Sequence, residues 1–556
     1  MKKSLIKSLL LSLGLLSVIS CKILVNENEN IIYTDKSPEN SSMGYKTLKA
    51  GQSFDSQVSG SNYIYIVDST FDLNNTSVSV GSGSILKFTK NGSIKNGTIT
   101  FNNTFLDGNV NFKNTSFAGN LLNKTVNLSW FGVNKDRTEE KAAVRKNSVI
   151  IAEVLDCMGD TLIVDGFYPV SSIISITKSI NLRSPDWNEN LCTRTYDNPY
   201  EPSNGFYSTD GNNSIFKFYQ YQDENGKDKV KGSMNMFGIY LKGNPEKYLN
   251  ATSYETDDSQ LTCGVFLPWG GSLAAVYNCK FEGFTQGIRS LGGYIEKLQN
   301  TTFNACELGF YAIYASDFEV FSCKFTNCMP NYKFTKLPDV SSLRQIGCGF
   351  MIEGCGMVNC ANCLFKNNFI NLIINEVAII INISNCDFIN PVFNDIYVYN
   401  DYTYVRGPFY FTTGYEDNHR ICIDNVVITE NNFTRNKNAL GKSIVMFTNG
   451  FHSLYNHGFI ESDRITNLIF ANNKITDARV VVPEDEALFI VSNKKETQSK
   501  INCNNNNFAS SKANYFASLM DDSYGKFTFV NSENKYPSNV SESKINNNSS
   551  NVIVCE

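Results

Sequence analysis

The sequence predicts an all-β solenoid, a parallel β-helix with three short strands in each rung of about 22 residues. Three observations predict it. One phrase recurs as Val276-Tyr-Asn-Cys-Lys-Phe281, Leu298-Gln-Asn-Thr-Thr-Phe303 and Val320-Phe-Ser-Cys-Lys-Phe325, its Phe falling one such rung further on each time. The runs between turns are short, rich in Val, Ile, Phe, Cys and Tyr and bounded by Gly and Asn, with no amphipathic stretch of helical length inside a rung. Roughly 70 of the 556 residues are Asn. Asn tolerates left-handed backbone and caps its own turns, so the chain turns very often.

The phrase returns at Cys360–Phe365, Ile383–Phe388, Ile428–Phe433, Phe470–Ile475 and Cys503–Phe508, at unequal steps that range from one rung length to about two. A longer step is either one rung carrying an insertion or two rungs of which one has lost the signature. Within the phrase, small-any-Phe alternates with period two, which puts the small residue and Phe on one inward face. The Asn before them takes a corner. Stacked copies bring Asn over Asn at about 4.8 Å, close enough for their amides to bond along the axis. With this rung length and an Asn ladder at one corner, the repeat resembles the right-handed pectate-lyase-like superfamily. Upstream, Trp130-Phe-Gly-Val-Asn-Lys-Asp136 leads into a helix-like stretch over Glu139–Val154, with Asp136 and Glu139 spaced as a capping box. Asp160–Tyr168 and Ser175–Leu182 follow. This resembles the N-terminal cap of rhamnogalacturonase/epimerase-like and phage tailspike β-helices, although Asp165 stands where the usual proline precedes the glycine. A cap is required in any case, since an open solenoid end exposes unpaired strand edges.

The start of the chain reads differently. Lys2, Lys3 and Lys7 precede an apolar run, Leu9 to Ile19, too short to span a membrane. It ends Val18-Ile19-Ser20-Cys21, which resembles a bacterial lipobox, with Cys21 as the lipidated residue. The expected organisation is a lipoprotein signal peptide (1–21), a polar tether (22–44), a small N-terminal β region (45–128), the β-helix (129–510) and a C-terminal cap (511–556). The resemblance implies an envelope protein held to the membrane by its lipid alone. Lys22 in place of Asp points to the outer membrane.

The formal net charge is −5. No basic excess exists to grip a phosphate backbone, which argues against a nucleic-acid partner. Only three His are present. The inward registers hold Cys279, Cys323, Cys363 and Cys386, two residues before Phe, and Cys360 and Cys503, five before it. Cys there acts as a small hydrophobe. The pair Cys360-Ala-Asn-Cys363 therefore reads as core, and no metal site is assigned.

In the superfamily, polysaccharide lies along the strand face that follows the Phe corner. If Ile288, Phe310 and Phe350 point inward, alternation sends Arg289, Tyr311 and Met351 outward. Continuing the register gives Asn375, then Asp395 and Tyr397 on either side of inward Ile396. An insertion over about 400–422 carries Tyr402, Tyr404 and Arg406, whose rings and charge suit sugars. A glycoside hydrolase needs two carboxylates about 5–10 Å apart, for which Glu353 and Asp395 are the candidates. A polysaccharide lyase needs a base and a cation to neutralise a uronate, for which Tyr311 and Arg289 serve. No cofactor is expected, apart from calcium for a lyase. The polygalacturonase-like motifs are absent as a set. The expected function is action on polysaccharide along this groove; non-catalytic glycan binding or adhesion is the alternative.

Overall fold

The structure, a computed structural model, describes residues 34–37, 42–135, 147–209, 214–224, 226, 228–244, 262–315, 317–330, 347–399, 426–441, 445–449, 466–493, 498–519, 526–546 and 553–556. The expected signal peptide with Cys21 and most of the expected tether lie outside these residues. Among the described residues no helix is long and apolar enough to cross a membrane.

The rung is as the repeat predicts. Strands Ser272–Tyr277, Lys280–Glu282 and Gln286–Leu291 are followed one turn later by Tyr294–Gln299, Thr302–Asn304 and Leu308–Ile313, each paired parallel with its predecessor. The short middle strands stack into an eleven-stranded sheet. The other two sets join in a sheet of 24 strands, because strands such as Cys348–Ala361 and Ile370–Ser384 run unbroken around the corner between two faces. Every long step in the repeat proves to be one rung with an insertion. Phe281, Phe303, Phe325, Phe365, Phe388, Phe433 and Ile475 pair directly in that order. From Phe281 to Phe433 the rings stack at 4.9–5.0 Å between centroids, with planes within 11°. Each such pair contributes about 0.5–1.5 kcal/mol beyond its buried area.

The corner corrects the expected Asn ladder. The repeated Asn278, Asn300, Asn362, Asn385, Asn472 and Asn505 all have φ between 52° and 58°, and Ser322 and Glu430 take the same conformation on their rungs. Asn is selected there because a non-glycine residue in left-handed backbone costs about 1–2 kcal/mol, least for Asn. The main amide ladder stands one residue later, inside the bore. Asn431, Asn473 and Asn506 each donate Nδ2–H to the Oδ1 of the next, ending on Asn534, at 2.9–3.1 Å. The cysteines continue the same column. Cys323 N–H donates to Cys363 Sγ and Cys363 N–H to Cys386 Sγ, both at 3.4 Å, and Cys386 N–H to Asn431 Oδ1 at 2.9 Å. These thiols are thus acceptors for corner N–H groups as well as apolar filling. All described cysteines are free.

Residues 44–121 form leading rungs of their own, with parallel ladders Ile64–Ile85–Phe105, Phe71–Ile94–Phe112 and Val78–Ile99–Phe117. The helix Asn147–Cys157 packs between the last of these strands and the first strands of the main stack. Its Glu153 Oε2 accepts the N–H of Phe117 at 3.0 Å, satisfying one group of an otherwise open edge. The expected capping box at Asp136 and Glu139 lies outside the described residues. Parallel pairing runs past 510, from Gln498–Asn504 to Lys526–Ser532 to Ile553–Cys555, so the expected closing segment carries further rungs.

Residues 187–196 run along the left-handed corner as a strap. Trp187 Nε1–H donates to Asn278 Oδ1 at 3.0 Å, Asn278 and Asn300 donate to the carbonyls of Leu191 and Cys192 at 3.0 Å, and Tyr196 N–H donates to Ser322 Oγ at 3.2 Å. The Tyr196 hydroxyl reaches Asp387 further along the axis. This one segment, with the short 3₁₀ turn Glu189–Thr193 at its middle, therefore ties successive rungs together by their corner side chains.

Candidate functional site

The face after the Phe corner has the alternation that the sequence implies. Ile288, Phe310, Phe350, Leu372 and Ile396 fill the bore. Lys217, Phe266, Arg289, Tyr311, Met351, Ile373 and Tyr397 stand in register on successive rungs of the outer side. That column changes character along the axis. From Tyr311 onward it is closed over, and Tyr311, Met351, Ile373 and Tyr397 join Leu308, Ile313, Cys348 and Ile370 in a second buried apolar cluster. Towards the N-terminal end it opens, with Lys217, Phe266, Trp269 and Tyr314 half-buried and Tyr219 exposed.

The open end has a defined geometry. Lys217 Nζ and Arg289 Cζ lie 5.2 Å and 5.5 Å from the centre of the Phe266 ring. Two cations thus flank one aromatic ring, each drawn by its π-face. Beside them the rings of Trp269 and Tyr314 stack at 6.2 Å with planes 14° apart. Both rings lie against glycines in left-handed backbone. A Cβ at Gly292 (φ 66°) would sit 2.1 Å from the Trp269 ring, and one at Gly354 (φ 60°) 2.4 Å from that of Tyr314. A side chain at either position would push its ring off the rung. Beneath this shelf the Tyr311 hydroxyl donates to Glu353 Oε2. Arg289, Tyr311 and Glu353 are 6%, 0% and 2% exposed.

The structure therefore brings Arg289, Tyr311 and Glu353 onto adjacent columns, but it does not pair Glu353 with Asp395. Asp395 stands four register positions and two rungs from Glu353, about 16 Å at the backbone, beyond the reach of a hydrolase pair. It belongs instead to a buried corner network. Asn368 donates to Asn371 Oδ1 at 2.9 Å, Asn371 donates to Asp395 Oδ1 at 2.8 Å, and Asp395 Oδ2 pairs with Arg435 at 2.6 Å. Near them Arg479 forks onto Asp477 at 2.7 and 3.0 Å and reaches Glu486 at 3.0 Å. A cavity of about 10 Å³ beside Arg435, Asp477, Arg479 and Glu486 has room for about one water. Burial pushes the Asp395 carboxyl up against the pull of Arg435. It pushes Glu486 up to about 7. Burial also acts on Asp477, but the Arg479 fork outweighs it and holds that carboxyl below its ordinary range.

Asn375 is opposite Glu353 in the strand register, but its side chain is outside the described residues, as are Tyr402, Tyr404 and Arg406. Sequence reasoning missed Lys217, Phe266, Trp269 and Tyr314, and the partners of Asp395. A signal existed for both groups. Gly270-Gly271 and Gly292-Gly293 mark turns on which a ring can lie. Two residues after the repeat's Phe, Asn327, Asn367 and Asn390 give way to Arg435 and then Asp477. Among the described residues the one set of three metal-ligating side chains close enough to share an ion lies away from this face, in the bore.

No protein-family model matches the chain, and no curated protein is similar to it. Among solved structures it is similar to the ORF18 protein of Geobacillus virus E2, at 14% identity and a TM-score of 0.28, over 78% of this chain and 60% of the viral one. The chain thus spans less than two thirds of that protein. It is similar to the A-module of the mannuronan C-5 epimerase of Azotobacter vinelandii, at 10% identity and a TM-score of 0.33, over 75% and 97% of the two chains. It is also similar to a surface protein and adhesin of Streptococcus pneumoniae, at 11% identity and a TM-score of 0.31, over 78% and 96%. These likenesses are low, and the fold rests on the strand register described above.

Proposed function

We propose that this protein takes an acidic polysaccharide across the Trp269–Tyr314 shelf and acts on it, by elimination rather than hydrolysis. The observation that carries the reading is the run Lys217–Phe266–Arg289 leading onto the Tyr311–Glu353 pair. The two cations suit a uronate carboxylate, the rings suit apolar sugar faces, and the phenol bonded to a carboxylate is a group that can exchange a proton. The separation of Glu353 from Asp395 argues against two-carboxylate hydrolysis. A second reading, binding without catalysis, draws on the burial of Tyr311 and Glu353 beneath the shelf.

An activity screen on acidic and neutral polysaccharides, with and without calcium, separates these. Unsaturated-uronate absorbance rising together with reducing ends supports elimination; reducing ends alone support a hydrolase. Binding without either signal supports the second reading. Trp269→Ala is expected to weaken binding about tenfold, about 1.4 kcal/mol, on either reading. Glu353→Gln is expected to lower kcat at least about 100-fold on the first and to leave affinity within about twofold on the second. Unchanged affinity in Trp269→Ala would place the glycan elsewhere.

The lipid anchor and the envelope location belong to the same proposal and rest on the segment ending at Cys21. Cys21→Ala is expected to move the protein from the membrane fraction to the soluble one. An unchanged partition would remove the anchor from the account.

A further inference from the structure

The bore holds a cluster of thiols that the polysaccharide face does not use. Cys360 and Cys363 leave one rung on either side of the left-handed Asn362, and Cys386 stands one rung further on in the column of Cys363. The three Sγ atoms all lie within 4.8 Å of one another, and all three residues are fully buried. Two of them already accept backbone N–H groups, Cys363 from Cys323 and Cys386 from Cys363, each at 3.4 Å. Such donors offset part of the cost of a buried thiolate, since hydrogen bonds to the charged form stabilise it. The thiols' own S–H contacts go to carbonyl oxygens at 3.2–3.8 Å and are weak, so little is lost when the protons leave.

The geometry points to a site for one thiophilic d¹⁰ cation, zinc or copper(I), on Cys360, Cys363 and Cys386. A Zn–S bond of about 2.3 Å puts neighbouring sulfurs about 3.8 Å apart, so the sulfurs have to close by about 1 Å at most. No aspartate, glutamate or histidine belongs to the set, which excludes the hard cations calcium and magnesium. Coordinating sulfurs are thiolates, so a divalent ion on all three releases three protons and leaves one net negative charge, which the N–H groups of Cys323 and Cys363, at 3.4 Å from Cys363 Sγ and Cys386 Sγ, partly offset. The full burial of the sulfurs means that the ion enters as the rungs close, during folding.

The neighbouring rungs supply the variants. Cys360 occupies a column that also holds Val276, Leu298, Val320, Ile383 and Ile428, so Cys360→Val removes a ligand and keeps the packing. Cys363 occupies the column in which Asn431 and Asn473 stand, so Cys363→Asn removes a sulfur and keeps a corner acceptor. The full chain is folded in cells supplied with zinc or with copper, purified without chelator, and analysed for both metals by mass spectrometry. The expected result is about one ion per chain in the parent and about a tenth of that or less in either variant, with circular dichroism unchanged. Equal metal content in parent and folded variants, whether high or absent, would overturn the site. A thiol titration after denaturation in chelator gives the second reading. The three sulfurs should react only when the metal is stripped, and full reaction without chelator counts against the proposal even if a variant fails to fold.

Discussion

Asn473→Leu is expected to destabilise the C-terminal rungs by about 3–5 kcal/mol, although leucine is apolar, near in size and placed in a buried column. Asn473 Oδ1 accepts the backbone N–H and the side-chain Nδ2–H of Asn431 at 3.0 and 3.1 Å. Its own Nδ2–H groups go to the Ile428 carbonyl at 3.0 Å and to Asn506 Oδ1 at 3.1 Å. Removing the amide leaves the Asn431 N–H and the Ile428 carbonyl buried without these partners, at about 1–3 kcal/mol each. Asn473→Cys is expected to cost less, about 1–2 kcal/mol, because Cys363 and Cys386 fill the same column and accept the same kind of N–H. Because stacked rungs unfold locally, the measurement is hydrogen exchange at the Asn431 amide alongside denaturant melting. Equal losses in the leucine and cysteine variants would show that volume, and not the corner acceptor, decides what this column holds.

That column also marks how far the sequence could be read. The regular spacing of the phrase and the alternation of small residue and Phe were enough for the solenoid, its three strands per rung and its inward Phe, because rungs share one backbone path and one buried face. The reason for the repeated Asn was misplaced by one residue. A corner needs both a residue tolerant of left-handed backbone and a buried acceptor for the N–H that follows it. Asn is suited to each task, so Asn472-Asn473 and Asn505-Asn506 look alike in sequence while only the second member of each pair points into the bore. Insertion lengths hid whether Phe325 and Phe365 were neighbours; only pairing settles that. The candidate site was half legible. Alternation put Arg289, Tyr311 and Glu353 outward, but nothing in the local sequence says that Tyr311 would be closed over while Phe266 and Trp269 stay open. Asp395 was misread for a related reason. Its charge suggests solvent, yet its partner Arg435 lies beyond a long insertion in sequence and only one rung away in space.

Stability is expected to fall as pH rises from about 4.5 to about 7, a direction opposite to that of most carboxylate-rich proteins over this range. The cause is Glu486. It is 4% exposed, and its burial outweighs the attraction of Arg479 and Arg435, lifting its carboxyl to about 7 from the ordinary 4.5. The folded protein therefore keeps a proton on Glu486 where the unfolded chain has lost it. A group with a raised folded pKa contributes its full stability below the unfolded value and loses it as pH climbs through the folded one. The loss amounts to about 3 kcal/mol by pH 8. Asp395, also raised by burial, adds in the same direction. Asp477, held low by Arg479, acts only in acid, where its contribution disappears as pH drops below the usual carboxylate range. Glu486→Gln keeps an acceptor for Arg479, whose Nη2–H reaches Glu486 Oε1 at 3.0 Å. In that variant the slope of stability against pH between 4.5 and 7 should flatten, and at pH 8 it should match or exceed the parent. Since Arg435, Asp477 and Glu486 belong to the same rungs as Asn431 and Asn473, both effects are read from the same exchange experiment. A parent whose exchange near Glu486 is independent of pH, after correction for the intrinsic rate, would mean that this carboxylate is already ionised and is balanced by the two arginines beside it.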